Sequence, residues 1–364
     1  MPGEVAAVGI NGVNLFDREF QRLVVAGVVG LFDLSSELVG SASTIGCYMP
    51  PSAVPELICP SCRRPPEAWP VSVESGECTN PACQEVHPAL AGTGIRVVVA
   101  GSSESFLDEL NDEPRFDVEA DVTAWLDGLE RGSASWEEAA RLGMYADLHY
   151  RQEDSALDRL YQRFIEPLTA TIESALDLGC GLGRFASIVS TGLGCHVTGL
   201  DSWPLALRFA HAATKHRQLH LPTMGPDAEL AASLFTTTHE LPTQPVLWVC
   251  GDVHNPPLPA AAFDLVTAIN VFDSVGDPAL ALGQASALLR PGGLLLMAQP
   301  DSWNAAATPP NGWVSSSSAA WELLMAEYGF ETIDEEDGFE WTLTRNARTY
   351  FRYVSHARLA ILGR

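Results

Sequence analysis

Basic residues are scarce in this sequence, and lysine is almost absent. The chain has 21 lysine and arginine residues against 46 aspartate and glutamate residues, and Lys215 is the single lysine. The formal net charge is therefore −25 at pH 7. Proteins that bind nucleic acid depend on basic patches that neutralise phosphates, and no cluster of basic residues interrupts this acidity. We therefore expect a partner other than nucleic acid.

Long apolar runs are also missing. The apolar stretches are far shorter than the ~20 residues that a membrane helix needs. The N-terminus has no basic leader followed by a long apolar segment. We therefore expect a cytoplasmic protein with no membrane partner. At 364 residues and 46% hydrophobic residues, the chain is long enough for two domains with ordinary cores.

Alternating glycines mark the most informative segment, Ser174–Asp201. A short apolar run leads into Asp177, the glycines follow, and a helix-like stretch then precedes a second apolar run that ends on Asp201. The pattern predicts a strand, a tight turn, a helix and a second strand, with an acid about 20 residues beyond the turn. Glycine permits positive φ and a close approach of the backbone to a ligand. The three glycines are Gly179, Gly181 and Gly183.

Three further segments follow in an order typical of one parallel sheet. An apolar run at Val246–Val249 leads into Cys250, Gly251 and Asp252. A fourth predicted strand begins at Phe263 and runs to Asn270, with Asp273 shortly after it. The stretch Leu288–Leu296 contains an Arg-Pro-Gly-Gly turn that enters a fifth predicted strand.

Together these segments resemble the class I S-adenosylmethionine-dependent methyltransferases, whose first motif reads D-x-G-x-G-x-G. A dinucleotide-binding loop would more usually read G-x-G-x-x-G. The resemblance implies an α/β fold with a seven-stranded, doubly wound, Rossmann-like sheet. It also implies a cofactor, S-adenosylmethionine, with Asp201 on its ribose and Asp252 on its adenine. The residues implied to bind the cofactor are Tyr145, Asp177, Gly179, Cys180, Gly181, Gly183, Asp201, Ser202, Asp252, Val253 and Asn270.

The segment before the glycine turn also resembles this superfamily. Met144–Tyr150 is similar to the Y-x-x-x-H-Y stretch that many members place ahead of the first motif, where aromatic residues lie over the cofactor. Tyr145 and Tyr150 are the candidates here, and ordinary packing is the alternative for both.

Cysteines supply the second motif. Four of the eight form a C-x2-C and a C-x4-C pair separated by 15 residues. In a reducing compartment this spacing predicts a tetrahedral zinc site with four thiolates, which leaves no open position for catalysis. Disulfides are the alternative, and His87 is a lesser candidate ligand. The four cysteines are Cys59, Cys62, Cys78 and Cys83.

The cysteine-rich segment resembles the small Trm112-like zinc ribbon, which implies that the metal supplies its fold and that a protein partner could bind there. We predict four regions. They are an N-terminal helical segment (1–55), the zinc ribbon (56–100), an acidic, helical connector (101–143) and the methyltransferase domain (144–364).

Polar residues that follow the fourth and fifth predicted strands are the candidates for the acceptor side, because ligands of open α/β sheets bind beyond the carboxyl ends of the strands. Each has an ordinary alternative, such as a helix cap for Asp273 or core packing for Trp303. His149 is a further candidate. The residues predicted to be catalytic are Asn270, Asp273, Asp301, Trp303 and His356.

C-terminal signatures partly resemble a bacterial methyltransferase subgroup that includes the 4-mercaptohistidine N-methyltransferase domains. Gln299 and Asp301 replace that subgroup's Ser and Tyr, so the match leaves the substrate open. Arg345 and Arg348 are candidates to hold a substrate carboxylate, with surface salt bridges as the alternative.

The sequence therefore predicts a methyltransferase that acts on a small-molecule acceptor, with a heteroaromatic or amino-acid-like nitrogen as the lead. Two alternatives stay open. One is an rRNA or tRNA methyltransferase with a zinc knuckle, and the other is a non-catalytic scaffold that keeps the cofactor site.

Overall fold

The computed structural model describes residues 55–62, 68–72, 74–83, 85–90, 93–99, 122–152, 155–236, 241–242 and 244–363. The predicted N-terminal helical segment lies outside the described residues, apart from Pro55, and so does the connector between residues 100 and 121. Among the described residues, no helix combines the length and the apolarity needed to cross a bilayer.

A mostly parallel sheet forms the centre of the molecule. Its eight strands run in the order β1-β6-β3-β2-β7-β8-β10-β9, and a separate antiparallel hairpin is formed by β4 and β5. The strands are β1 (Arg96–Val97), β2 (Ser174–Leu178), β3 (His196–Asp201), β4 (Gln218–Met224), β5 (Leu230–Thr236), β6 (Val246–Cys250), β7 (Phe263–Ile269), β8 (Leu289–Gln299), β9 (Phe330–Asn346) and β10 (Thr349–Leu362).

Helices cover both faces of this sheet. They are α1 (Val122–Asp127), α2 (Ala134–Ala146), α3 (Ala156–Leu160), α4 (Arg184–Leu193), α5 (Pro204–Ala213), α6 (Pro278–Leu288) and α7 (Ser318–Glu327). Two π-helical turns, Asp147–Arg151 and Tyr161–Ile165, extend α2 and α3. The three larger apolar clusters of buried residues lie on the two sides of the sheet and beneath α1, α2, α5 and the β4–β5 hairpin. Two smaller clusters lie around Cys59 and around Trp136.

The predicted Rossmann-like class is confirmed, but the predicted strand number of seven is wrong. In the spatial order of the sheet, the seven strands that begin with β6 and end with β9 match the predicted number. Strand β1 adds an eighth by pairing in parallel with β6. This strand comes from the end of the segment assigned to the ribbon. Val97 and Val98 are buried, and Val98 donates a backbone hydrogen bond to Cys250 (2.8 Å). The added strand covers an edge that would otherwise leave the backbone groups of β6 unpaired.

Strands β9 and β10 form a long hairpin that extends beyond the rest of the sheet. Strand β10 pairs with β8 from His356 to Ile361, whereas it pairs with β9 along nearly its whole length. The outer half of the hairpin packs on α2 and on the first π-helical turn, with Phe339 and Trp341 buried. Gln152 holds this arrangement by donating to the backbone carbonyl of Thr342 (2.9 Å).

The described part of the connector contains two helices joined by a turn. Helix α1 begins at Val122, and α2 begins after Ser133, whose hydroxyl accepts a hydrogen bond from the backbone N–H of Trp136 (3.2 Å). Helix α2 then continues without interruption across the predicted domain limit at residue 143 and ends at Ala146.

Candidate functional site

The glycine turn lies between β2 and α4, where its backbone needs conformations that favour glycine. Gly179, Gly181 and Gly183 have φ of 66°, 52° and 77°. A Cβ on Gly183 would come within 2.3 Å of the Trp248 ring, and one on Gly179 within 2.6 Å of Val271. The turn is therefore packed closely against β6 and against the segment that follows β7.

The turn uses most of its own backbone donors. This distinguishes it from a pyrophosphate cradle, in which free N–H groups at a helix N-terminus bind the phosphates. The donor–acceptor pairs are Gly179 N to Leu200 O (2.8 Å), Cys180 N to Leu200 O (3.1 Å), Gly181 N to Asp201 Oδ2 (2.7 Å), Gly183 N to Cys180 O (2.9 Å) and Arg184 N to His149 Nδ1 (3.3 Å). The geometry favours a ligand without a diphosphate.

Asp201 ends β3 beside this turn. Its Oδ2 accepts from Gly181, and its Oδ1 accepts from the backbone N–H of Trp203 (2.8 Å). Burial raises the pKa of the Asp201 carboxyl, and the hydrogen bonds oppose that shift. Ser202 follows and is exposed. Asp201, which is predicted to bind the ribose, thus also holds the backbone of the glycine turn. The sequence alone did not indicate this second role.

Asp177 and Asn270 each have a buried side-chain oxygen without a hydrogen-bond partner among the described residues, Oδ2 and Oδ1 respectively. The other oxygen of Asp177 accepts from the hydroxyl of Thr267 (2.7 Å). Burial raises the pKa of Asp177 to about 7. Strands β2 and β7 are adjacent, so both oxygens lie at the same sheet edge and are suited to a cationic group.

Asp252 follows β6, as predicted, and is held by a histidine that the sequence analysis missed. His254 places its Nδ1 2.8 Å from Asp252 Oδ1, and its Nε2 accepts from the backbone N–H of Asp277 (3.1 Å). Although burial opposes it, the hydrogen bond from His254 lowers the pKa of Asp252. Val253 is buried between them. No sequence motif marks His254, since Asp277 is 23 positions away.

Aromatic residues cover the glycine turn from the first π-helical turn and the end of α2. Tyr150 donates its hydroxyl hydrogen to the carbonyl of Leu182. The Tyr145 ring meets the ring of Trp203 edge-on, with centroids 6.0 Å apart. His149, predicted as an acceptor-side group, lies instead against the turn and accepts from Arg184. Cys180 is buried, and burial raises the pKa of its thiol, so it contributes backbone rather than a thiolate.

Asn270 and Asp273 lie together after β7. Asn270 has a left-handed backbone (φ 57°) and donates to Ala298 (2.7 Å). Asp273 is 2% exposed, and its Oδ2 accepts from the backbone N–H of Ser302 (2.8 Å). Burial raises the pKa of the Asp273 carboxyl. Asp273 therefore ties the ends of β7 and β8 together, and Asp277 caps α6 in its place.

Asp301 and His356 lie in a second group on the side of α7. Asp301 Oδ1 accepts from Gln299 Nε2 (3.1 Å) and from Trp321 Nε1 (3.1 Å), and burial raises its pKa. His356 lies 2.8 Å from Glu335 through Nε2 and 2.9 Å from the buried Arg358 through Nδ1. Both predicted residues are thus already engaged by neighbours.

Trp303 is the middle ring of three. It stacks on Trp321 (centroids 6.4 Å, planes 4° apart) and on Trp313 (6.3 Å, 14°). Packing therefore accounts for this residue, and a contact with an acceptor stays a prediction.

The two arginines proposed as a carboxylate clamp lie in the outer half of the β9–β10 hairpin. Arg345 Nε lies 3.4 Å from the sulfur of Met224 in β4. Arg348 is exposed in the turn between the two strands. A role for either arginine in holding a substrate carboxylate stays a prediction.

The four predicted cysteines meet in one cluster, in which the sulfurs all lie within 4.8 Å of one another. Cys62 and Cys78 sulfurs are 3.8 Å apart, close to the edge of roughly 3.8 Å of a tetrahedron with ~2.3 Å metal–sulfur bonds. Asn80 adds N–H donors to both of these sulfurs (3.5 Å each). The cluster fits a zinc ion, and it has no disulfide. His87 is buried outside the cluster, and both of its ring nitrogens lack described partners.

The cysteine cluster packs against the loop that carries Asp252. Ile58 donates its backbone N–H to the carbonyl of Pro257 (2.9 Å), and Asn255 donates to the carbonyl of Pro60 (3.4 Å). The cluster is therefore in direct contact with one wall of the candidate site.

Comparison with protein families gives a match over the C-terminal part of the chain. A family model described as "Methyltransferase domain" matches residues 148–335, just over half of the chain. A curated relative from Streptomyces fradiae, an uncharacterized 37.1 kDa protein in transposon TN4556, is 35% identical over 133 residues. That match covers 35% of this chain and 30% of the relative's length.

Solved structures are similar to this chain at low identity. The N-methyltransferase NodS from Bradyrhizobium japonicum, in complex with S-adenosyl-L-homocysteine, is 16% identical over 64% of this chain and 100% of that chain, with a TM-score of 0.41. A SAM-dependent methyltransferase from Methanosarcina mazei is 16% identical over 55% and 97%, at 0.39. A chain in a complex of the Haloferax volcanii Trm112 methyltransferase activator is 17% identical over 63% and 95%, at 0.40.

Proposed function

Because this chain belongs to the methyltransferase-domain family of S-adenosylmethionine-dependent enzymes, we propose that it transfers a methyl group from S-adenosylmethionine to a small-molecule acceptor. The observation that carries the proposal is the glycine turn, which leaves few backbone donors for a phosphate and stands beside unpaired carboxylate and amide oxygens.

The residues present fit the cofactor. Asp201 and Asp252, at the ends of β3 and β6, would accept hydrogen bonds from the ribose and the adenine amino group. Asp177 Oδ2 and Asn270 Oδ1 are acceptors that suit the α-ammonium group of the methionine portion. Tyr145, beside Trp203, supplies an aromatic face next to these groups.

The sulfonium supplies an activated methyl group, so this chain's residues mainly orient the acceptor and exclude water. A neutral nitrogen lone pair needs no base, but a protonated amine must lose its proton before it can attack. Asp273 is the proposed proton acceptor, because burial raises the pKa of its carboxyl and it lies after β7 beside Asn270. Tyr353 of the hairpin is close enough for the Asp273 charge to add to the burial that raises the tyrosine pKa.

We propose a compact acceptor, with a heteroaromatic or amino-acid-like nitrogen as the lead. The net charge of −25 supports a small ligand over a polyanion, because a chain with few cations gains little from counterion release. The carboxylates of Asp177, Asp201 and Asp273 support a neutral or cationic acceptor over an anionic one.

Zinc in the cysteine cluster would be structural, because four thiolates complete its coordination. Its proposed role is to hold the Trm112-like ribbon against the loop after β6. The likeness to that ribbon also supports a role in binding a protein partner.

The test is transfer of radiolabelled methyl groups from S-adenosylmethionine to fractionated cell extract. We expect label in the low-molecular-weight fraction that depends on Asp273 and is lost in Asp273→Asn. Label found in rRNA or tRNA, with none in small molecules, would contradict the proposed acceptor class. Tight cofactor binding with no label in any fraction would instead favour a non-catalytic scaffold.

A further inference from the structure

His149 is a buried imidazole whose two nitrogens face different surroundings. It lies in the π-helical turn Asp147–Arg151, and the residue is 8% exposed. Nδ1 accepts the backbone N–H of Arg184, the first residue of α4, at 3.3 Å. This N–H is one of the donors that a helix N-terminus otherwise offers to a ligand.

The hydrogen bond from Arg184 fixes the tautomer of the imidazole. A nitrogen that accepts cannot carry a proton, so the ring proton of neutral His149 is on Nε2. Burial, with a contribution from the Arg184 charge, lowers the pKa of His149 to about 3. The ring is therefore neutral, and Nε2–H is a donor throughout the physiological pH range.

The Nε2 atom lies at the glycine turn. It is 3.7 Å from the point that a Cβ on Gly181 would occupy, and Cε1 is equally close. Gly181 itself has left-handed φ of 52°, and its N–H is already given to Asp201. The N–H donor on the side of Gly181 where a Cβ would lie is thus the imidazole Nε2–H, and not a backbone N–H of the turn.

We propose that His149 Nε2–H binds the carboxylate of the methionine portion of the cofactor, an inference that rests on the function proposed above. His149 takes up the N–H of Arg184 on one nitrogen and presents an N–H of its own on the other. The imidazole therefore accepts an N–H at the N-terminus of α4 and donates its own N–H on the other side of the ring, at the glycine turn.

A carboxylate is the group that this position suits. The ammonium of the methionine portion is matched by Asp177 and Asn270, each of which has a buried oxygen without a described hydrogen-bond partner. The carboxylate is bonded to the same carbon and needs donors, while the turn uses its N–H groups internally. The N-terminus of α4 adds a favourable potential for negative charge.

The experiment compares two ligands that differ in this carboxylate alone, S-adenosylmethionine and its decarboxylated analogue. His149→Asn places an amide oxygen where Nδ1 accepts from Arg184 but removes the donor at Nε2. We expect about tenfold weaker binding of S-adenosylmethionine, as for a hydrogen bond to a charged group, and unchanged binding of the analogue. His220→Asn, in the β4–β5 hairpin, is the matched control and should change neither affinity.

Equal loss of both ligands in His149→Asn would overturn the proposal, because it would show a role in holding the turn only. Wild-type protein that binds neither ligand would overturn the proposed function and the inference with it. Tyr150→Phe, which loses the bond to Leu182, should weaken both ligands equally.

If His149→Asn does not fold, nitrogen NMR of histidine-labelled wild-type protein gives the answer. The Nε2 resonance should shift with S-adenosylmethionine and not with the decarboxylated analogue. The same shift with both ligands would overturn the proposal.

Discussion

Individual side chains in this site serve the backbone and the proposed ligand at once. Asp201 accepts from Gly181 and Trp203, and His254 joins Asp252 to the N-terminus of α6. Changes at such residues therefore affect folding stability as well as affinity.

Asp201→Ala should weaken S-adenosylmethionine binding by about 2 kcal/mol, because it removes a charged acceptor. It should also lower the free energy of unfolding of the ligand-free protein by about 1–3 kcal/mol, since two backbone N–H groups lose their partner. Calorimetric titration and urea unfolding measure the two effects. Asp127→Ala, at an exposed position in α1, is the control, and equal affinity in wild type and Asp201→Ala would refute the assignment.

Asp177 should make the ligand-free protein less stable as the pH rises. Its pKa in the folded chain is about 7, above the ordinary value of 3.8, so the folded state binds the proton more tightly. Stability then falls between about pH 4 and pH 7, by at most about 4 kcal/mol from this group. Asp177→Asn should flatten this slope in urea unfolding at pH 5 and pH 8.

Cofactor affinity should change in the opposite direction with pH, because the ionised Asp177 carboxylate is the better acceptor for an ammonium group. Titrations across the same range should show tighter binding at higher pH in the wild type and little change in Asp177→Asn. A wild-type affinity that does not depend on pH would argue against a contact between Asp177 and the ammonium.

At the scale of elements, contacts between loops hold the carboxyl edge of the sheet. The three stacked tryptophans fix the segment after β8, and Asp273 joins that segment to the end of β7.

Strand β9 is the last strand of the sheet, on the side opposite β1. It carries four acidic residues, Glu331, Asp334, Glu335 and Glu336. Charges on an exposed edge strand oppose pairing with another chain.

Trp303→Ala should destabilise the protein by about 3 kcal/mol, because it removes a half-buried ring that packs against two near-parallel indole rings. Trp313→Ala is the matched comparison and should cost less, since Trp313 is 41% exposed. Urea unfolding measures both. A cost for Trp303→Ala no larger than for Trp313→Ala would show that the stack contributes little.

Removal of the metal should weaken binding at the cofactor site. We expect one zinc per chain in elemental analysis, and loss of it in Cys62→Ser. Because the ribbon is hydrogen-bonded to Pro257 and Asn255, its unfolding should also weaken S-adenosylmethionine binding.

Cys195→Ser, at a buried cysteine outside the cluster, should retain both zinc and affinity. Protein without zinc despite an adequate supply would remove the site. Full cofactor affinity after chelation would show that the ribbon and the site are independent.

At the scale of the whole molecule, charge limits the acceptor. With a net charge of −25, the protein should not bind rRNA or tRNA measurably at physiological salt, because few phosphates could be neutralised. Filter binding at low and physiological salt tests this. Tight binding with a steep salt dependence would reveal a basic surface and revive the nucleic-acid alternative.

Much of the site follows from local sequence. The glycine turn and Asp201 were predicted because a strand, a turn and a helix bring residues close in sequence into fixed relations. The four cysteines were predicted from their paired spacing. The succession of parallel strands along the chain was predicted from the apolar runs, whereas their order across the sheet comes from the structure. The domain limits and the roles of the acceptor-side residues stay predictions.

Other relations arise only when distant segments pack. His149 meets Arg184 across 35 positions, and β1 reaches β6 from the far side of the connector. The stack around Trp303 depends on α7, and the ribbon meets the Asp252 loop through contacts across 195 positions. Sequence patterns determined which residue types stand at each strand end. The tertiary structure decided which of them are free for a ligand, because hydrogen-bond partners are chosen by proximity in space and not along the chain.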